Sequence, residues 1–451
     1  MTVSRPVPDP SWLARPCALA LALVLACAMG TAPALAVPPA QAAASTPTPV
    51  DADPEAEALE SGAVVPEPAP DPALARKPVT PAELGDILRT VPGKPVVVAL
   101  IVDAATGETI LDLDGSKPVY PASVAKLFTT AAILRAWPAG KQLVTEVRAS
   151  PAVNGRAETV AIVGSGDPTL RIKDLGGLAD ALKKLGITRI GRLVVDGGVF
   201  DDKAPRGFEE KQTDAAYRAP IGGFQVEGST VAVVVRPGAT VDAPARVEVT
   251  PACGPAVVVR NEAVTIRKGK ATISAGMRPA GRQTEIVVQG RIPLKSKAIG
   301  SGRRRVADAT TFAAGVWRTV LEGRGIRIDG ETVYARAPAD LPVVASRPSP
   351  KLDEIVRTTN KTSHNGYAET LFKLVAVAEG QVPATAEKAE EAARKALQGL
   401  SIHWEHVKLG NGSGLYHANQ VTCRAVVDLL RAMAGDAAGN RFRNTLAVGG
   451  V

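Results

Sequence analysis

Seven apolar residues run without a break from Val96 to Val102, and a second apolar run follows from Thr109 to Leu113. The turn at Thr106-Gly107 separates them, so the pair predicts a hairpin. A short helix is expected before it, near Pro81 to Thr90. After it, Leu127 to Trp137 reads as a helix that Trp137-Pro138-Ala139-Gly140 stops. From about 149 to 345 the texture changes. Short β runs recur at Thr159–Val163, Leu193–Val195, Val231–Val235, Val247–Thr250, Val257–Val259 and Glu285–Gln289, separated by Gly, Pro, Asp and Asn. Helical patterns at Leu175–Leu185 and Ala307–Glu322 interrupt them. From 350 onward the pattern is mostly helical, at Leu352–Thr358, Tyr367–Ala378, Ala386–Leu397 and Thr422–Met433. A polar break, Asn360 to Asn365, and a Gly-rich loop, Leu409 to Asn419, lie between those helices.

The pattern divides the chain into 78–148, 149–345 (a β-rich insertion) and 346–451, preceded by two segments of another kind. Residues 1–36 read as a secretory signal: Arg5 and Arg15 supply the positive region, Pro16 to Met29 is apolar, and Ala34-Leu35-Ala36 is a small-residue cleavage site. Residues 37–77 are rich in Pro, Ala and acids, which predicts a disordered tether. Its two bases against seven acids give it −5 of the chain's +8; the signal holds +1, so the body carries +12. A basic exported body suits an anionic wall polymer or membrane surface. No aromatic-interleaved basic stripe is present, so no nucleic-acid partner is expected. The predicted location is the periplasm or the outer face of the cytoplasmic membrane.

Candidate chemistry centres on Pro121-Ala122-Ser123-Val124-Ala125-Lys126. An extended segment feeds a helix here, and residues three apart share one helix face. A Ser at a helix start ordinarily caps backbone N–H groups. Capping does not account for the Lys three residues on, whose amine, if partly desolvated, can be neutral and act as a base on the Ser hydroxyl. In Lys361-Thr362-Ser363-His364-Asn365 a hydroxyl and an amide two residues apart can point into one cleft. Gly164-Ser165-Gly166-Asp167-Pro168-Thr169-Leu170 lacks a P-loop Lys and is expected to be a tight structural turn. His403 and His406 are three apart, but no further Cys or His completes a metal set. All four histidines are read as ordinary surface or core residues, and no metal or cofactor is expected. Cys17 and Cys27 fall in the signal; Cys253 and Cys423 are expected to be isolated buried thiols.

Together these signals resemble penicillin-binding proteins and serine β-lactamases, in which Ser-x-x-Lys precedes Ser-x-Asn. The 240 residues from Ser123 to Ser363 are too many for a β-lactamase. They match D-alanyl-D-alanine carboxypeptidases of the penicillin-binding protein 4 type, which insert extra domains between the two motifs. Tyr217-Arg218-Ala219-Pro220, Ala368-Glu369-x-Leu371, Asn411-Gly412-Ser413-Gly414-Leu415 and the Gly164–Leu170 stretch agree, so the likeness covers roughly 79–451. It implies an α/β (α+β) penicillin-binding fold: an antiparallel sheet flanked by helices, a helical subdomain and the β-rich insertion. It implies Ser123 as nucleophile, Lys126 as its base, Ser363 as proton relay to the departing D-alanine, and Asn365 as holder of the acyl-side amide. The implied substrates are peptidoglycan stem peptides ending in D-Ala-D-Ala, or their cross-links, with β-lactams as covalent inhibitors. Phe208 and Asp214 are loose counterparts of the family's aromatic and acidic substrate-binding residues, beside Tyr217. Two departures stand out. Asn411 occupies a position where the family usually has Asp, and no Lys-Thr-Gly follows Ser-x-Asn before Val451. The expectation is therefore an enzyme cut before its third motif, the alternative being an inactive wall-binding protein on the same fold.

Overall fold

The structure, a computed structural model, describes residues 20–27, 80–90, 96–211 and 213–447. Most of the expected signal, all of the tether from 37 to 77, and the chain end from 448 lie outside the described residues. The hairpin forms as read: Val96–Asp103 pairs antiparallel with Thr109–Leu113, and Ala20–Cys27 pairs along the other edge of Val96–Asp103. Thr80 caps the short helix Pro81–Arg89 through a reciprocal bond with Glu83. Residues Ala125–Ala136 form the long helix behind the sheet, almost entirely buried, which accounts for its lack of a polar stripe.

The chain then leaves this lobe and returns by two neighbouring strands. Val144–Ala149 and Val343–Pro348 pair antiparallel, so the junction straddles both expected boundaries, 149 and 345. Between them the insertion is strand-rich, and its two helical patterns form close to where they are read, at Ile172–Lys184 and Ala309–Gly323. Arg156–Val163 and Arg189–Asp196 are parallel, and Ile172–Lys184 makes the crossover that parallel pairing requires. The helix Ala309–Gly323 packs against the same layer, with Asp308 as its N-cap. Two three-stranded sheets complete the insertion. They include Ser274–Ala280 and Ile299–Arg305, whose Gly- and Arg-rich sequences carry no alternation.

Helices Leu352–Lys361, Asn365–Ala378, Ala386–Ala396 and Cys423–Gly435 then rebuild the first lobe. Two separate cores result. Val98, Leu100, Phe128, Leu371, Phe372 and Leu429 belong to one; Ile162, Leu175, Phe224, Ile286 and Trp317 belong to the other. Cys423 is buried in the first and Cys253 in the second, and the two do not form a disulfide. Burial pushes each up to about 11. Among the described residues no helix is long and apolar enough to cross a membrane.

Candidate active site

Ser123 does not sit on the α-helix as its spacing predicts. It lies in a 3₁₀ turn, Ala122–Val124, that runs directly into Ala125–Ala136, and it caps nothing. The turn is packed closely from outside. Ala122 is left-handed, with φ of +45°. Gly414, at φ of +79°, presses its backbone so close that a Cβ there would collide with the Ala122 carbonyl. The Ser123 hydroxyl, released from capping, faces two partners. Lys126 Nζ is 2.9 Å away and Ser363 Oγ is 2.8 Å away.

Lys126 is the hub. The residue is 2% exposed. Nζ also reaches Asn365 Oδ1 at 2.8 Å and the Ser413 carbonyl at 3.0 Å. Burial pulls its amine down to about 8, against an opposing pull from the Glu369 carboxylate. The two acceptors other than Ser123 carry no proton to give. A neutral amine therefore spends both N–H groups on Asn365 and Ser413 and aims its lone pair at the Ser123 hydroxyl. Asn365 is oriented unambiguously, because its Nδ2 donates to the Tyr217 carbonyl at 3.1 Å while its Oδ1 accepts from Lys126.

Ser363 ends the preceding helix at φ of +55°, a left-handed position that turns its hydroxyl back toward Ser123. His364 is the N-cap of Asn365–Ala378, with Nδ1 accepting from the Tyr367 N–H at 3.2 Å. Its ring lies against that of Tyr367, 4.2 Å between centroids. Burial, with Arg171 and Lys126 nearby, drops it to about 4, so it is neutral near pH 7. The other three histidines stand away: His403 on Asp428, His406 beside Glu405, His417 on Glu210.

The residues expected to bind substrate divide. Tyr217 is half-exposed and contributes its carbonyl to Asn365. Phe208 is buried edge-on against Tyr416, and its carbonyl accepts from the Arg218 guanidinium. The Asp214 carboxylate is held by Arg304 and by the Met277 N–H. The Gly164–Leu170 stretch is a tied-down turn: Asp167 accepts from Thr169 N–H and hydroxyl and pairs with Arg347.

Sequence reasoning missed the floor of the site. Glu369 is 3% exposed, and its two oxygens accept separately from Gly412 N–H at 3.0 Å and Ser413 N–H at 2.9 Å. The available signal was spacing: Asn365 and Glu369 are four apart and share one helix face. Ser413 contributes through its backbone, which no side-chain pattern reveals.

The model of the D-Ala-D-Ala carboxypeptidase 3 (S13) family matches residues 82–451. A D-alanyl-D-alanine carboxypeptidase from Actinomadura sp. (strain R39) is 33% identical over 354 residues, 75% of this chain. The chain spans 64% of that relative's length. The D-alanyl-D-alanine carboxypeptidase DacB of Haemophilus influenzae is 24% identical, over 76% of this chain and 72% of the relative. The crystal structure of penicillin binding protein 4 (dacB) from Haemophilus influenzae, complexed with a β-lactam, superposes with a TM-score of 0.67 at 21% identity. It covers 82% of this chain and 81% of that one, a likeness of fold.

Proposed function

The chain belongs to the D-Ala-D-Ala carboxypeptidase 3 (S13) family, and from that premise we propose that it is an exported serine D,D-carboxypeptidase or endopeptidase. Its substrates are peptidoglycan stem peptides ending in D-Ala-D-Ala, or cross-links between them, and β-lactams acylate the same serine. The observation that carries the reading is the convergence on Ser123 Oγ of Lys126 Nζ at 2.9 Å and Ser363 Oγ at 2.8 Å.

The chemistry follows from donors and acceptors. Neutral Lys126 accepts the Ser123 proton and becomes an ammonium while Oγ bonds to the carbonyl carbon of the penultimate D-Ala. The tetrahedral carbon then releases the terminal D-alanine amine. That amine leaves with a proton passed from Lys126 through Ser363, the hydroxyl in contact with Oγ. Water hydrolyses the acyl-enzyme with Lys126 again as base, and Ser123 regains its proton. Asn365 fixes Lys126 through Oδ1 and ties the site to the Tyr217 backbone through Nδ2; in this reading it also orients the acyl-side amide. Tyr217 is the substrate-facing residue on the insertion side. Phe208 and Asp214, both engaged within the protein, support that wall from behind.

Fluorescent penicillin is the direct test on the full chain. The expected result is one covalent label per chain, on the peptide holding Ser123, absent in Ser123→Ala, with D-alanine released from a D-Ala-D-Ala peptide. An unlabelled but folded protein that pellets with purified peptidoglycan would establish the wall-binding alternative instead.

A further inference from the structure

Glu369 lies in none of the roles above, yet it is a carboxylate in the core beneath the reacting groups. It makes no ion pair among the described salt bridges, and its oxygens are taken by the N–H groups of Gly412 and Ser413. The peptide it grips is the one that matters. Ser413 donates its N–H to Glu369 and offers its carbonyl to Lys126 Nζ, so one residue links acid and amine. The surrounding chain is closed around this link. The Thr129 hydroxyl donates to the Gly412 carbonyl at 2.9 Å, and a Cβ on Gly412 would collide with the Ala368 carbonyl.

We propose that Glu369 is a positioning residue for the serine chemistry: an ionised carboxylate that aims the Ser413 carbonyl at Lys126 and supplies the counter-charge when Lys126 takes the Ser123 proton. This rests on the serine-hydrolase reading above. An ammonium forming in a buried site is expensive without an opposite charge nearby. The charged groups that bear on Lys126 are few. Glu369 faces it from the Asn365–Ala378 helix and pulls its affinity for protons up. His364, at the start of that helix, is neutral near pH 7, and Arg171 bears on His364. Ser123, Asn365 and Ser413 offer only polar atoms. Among the described residues Glu369 is thus the one anion that bears on Lys126, and it keeps the amine basic enough to accept a hydroxyl proton despite its burial. Burial raises its own affinity for protons above the usual carboxylate range, against the Ser413 hydroxyl, the Gly412 and Ser413 N–H groups and the Lys126 charge, which all favour the carboxylate.

Two substitutions separate charge from reach. Glu369→Gln keeps the length but loses the charge, and its amide can accept at only one end. Glu369→Asp keeps the charge on a side chain one methylene shorter. The Lys126 amine is titrated directly by ¹³Cε NMR of the lysine-labelled full chain, assigned with Lys126→Arg. The same variants are assayed for benzylpenicillin acylation against pH. The expected result is a Lys126 midpoint about one pH unit lower in Glu369→Gln. The limiting acylation rate should fall about tenfold, while Glu369→Asp stays close to wild type in midpoint. If Glu369→Gln does not fold, Glu369→Asp decides: a wild-type midpoint supports the counter-charge, and a fall overturns it. A midpoint unmoved in folded Glu369→Gln also overturns it. The NMR midpoint does not depend on turnover. A wild type that titrates as expected but takes no penicillin would sink the hydrolase reading and leave the electrostatic link standing.

Discussion

Ser363 Oγ donates to Ser123 Oγ at 2.8 Å, joining residues 240 positions apart and placing two hydroxyls in series beside one amine. Removing the outer hydroxyl should leave binding intact and slow proton delivery. Ser363→Ala is expected to lower penicillin acylation and D-alanine release by about 10²–10⁴, with little change in KM. Ser363→Gly is the control for backbone strain. At φ of +55° a glycine is at least as comfortable as serine, so it should lose activity equally while unfolding no earlier. Recovery of activity in Ser363→Gly would show that conformation, not the hydroxyl, is what matters.

Acylation should rise with pH through about 8. Lys126 is a base only when neutral, and burial brings its amine down to about 8 from the usual 10.5. The rate of label incorporation is therefore expected to climb toward that value and level off above it. The same shift affects stability. Between about 8 and 10.5 the unfolded chain binds the proton that the folded chain has released, so this group's contribution grows as pH rises through that window. Lys126→Arg stays charged throughout and should be inactive at every pH. A rate that is flat from pH 6 to 9 would exclude Lys126 as the base.

How much of this was visible beforehand depended on whether the signal was local. The hairpin at Val96–Leu113, the buried helix after Ser123 and the late helices announce themselves by period, and their observed bounds differ from the reading by a few residues. The pair Ser123 and Lys126 is local too. Its meeting with Ser363 and Asn365 is not; family resemblance, not periodicity, joined those motifs. The strands Ser274–Ala280 and Ile299–Arg305 escaped because Gly and Arg in a partly exposed sheet leave no alternation. Spacing puts Ser123 on the helix because it cannot register the close approach of the Gly414 backbone to a left-handed Ala122 from almost three hundred residues downstream. Ser413 was invisible for a related reason: it acts through a carbonyl.

His364 predicts acid lability. Its folded value, about 4, lies below the usual 6.5, so the unfolded chain binds more protons between those limits. Stability should therefore fall as pH drops from 6.5 toward 4. Protonation would also cost Nδ1 its lone pair, and with it the cap on the Tyr367 N–H, beside Arg171 and Lys126. Asn caps helices well and does not titrate. Thermal unfolding of His364→Asn is expected to be nearly independent of pH over that window, whereas the wild type loses several degrees. Parallel curves for the two proteins would rule out the histidine as the source.

Asn411, where the family usually has Asp, is built into this site as an amide. Its Nδ2 donates to the Arg206 carbonyl at 2.8 Å and the Leu415 carbonyl at 3.1 Å, and its Oδ1 accepts from Gly414 N–H at 2.8 Å. Asn411 is 1% exposed. An aspartate keeps the last bond but turns an acceptor oxygen toward two carbonyls, leaving both unpaired and a charge buried. The cost should be about 1–3 kcal/mol or more, read as a lower urea midpoint at pH 8. The loop it holds is the one that presses Gly414 onto Ala122 and presents Ser413 to Lys126, so acylation of Asn411→Asp should slow as well. Lowering the pH toward the aspartate's own protonation should partly restore stability, since a neutral acid regains one donor. An Asn411→Asp protein as stable and as quickly acylated as wild type at pH 8 would mean that the Gly-rich loop does not depend on this amide.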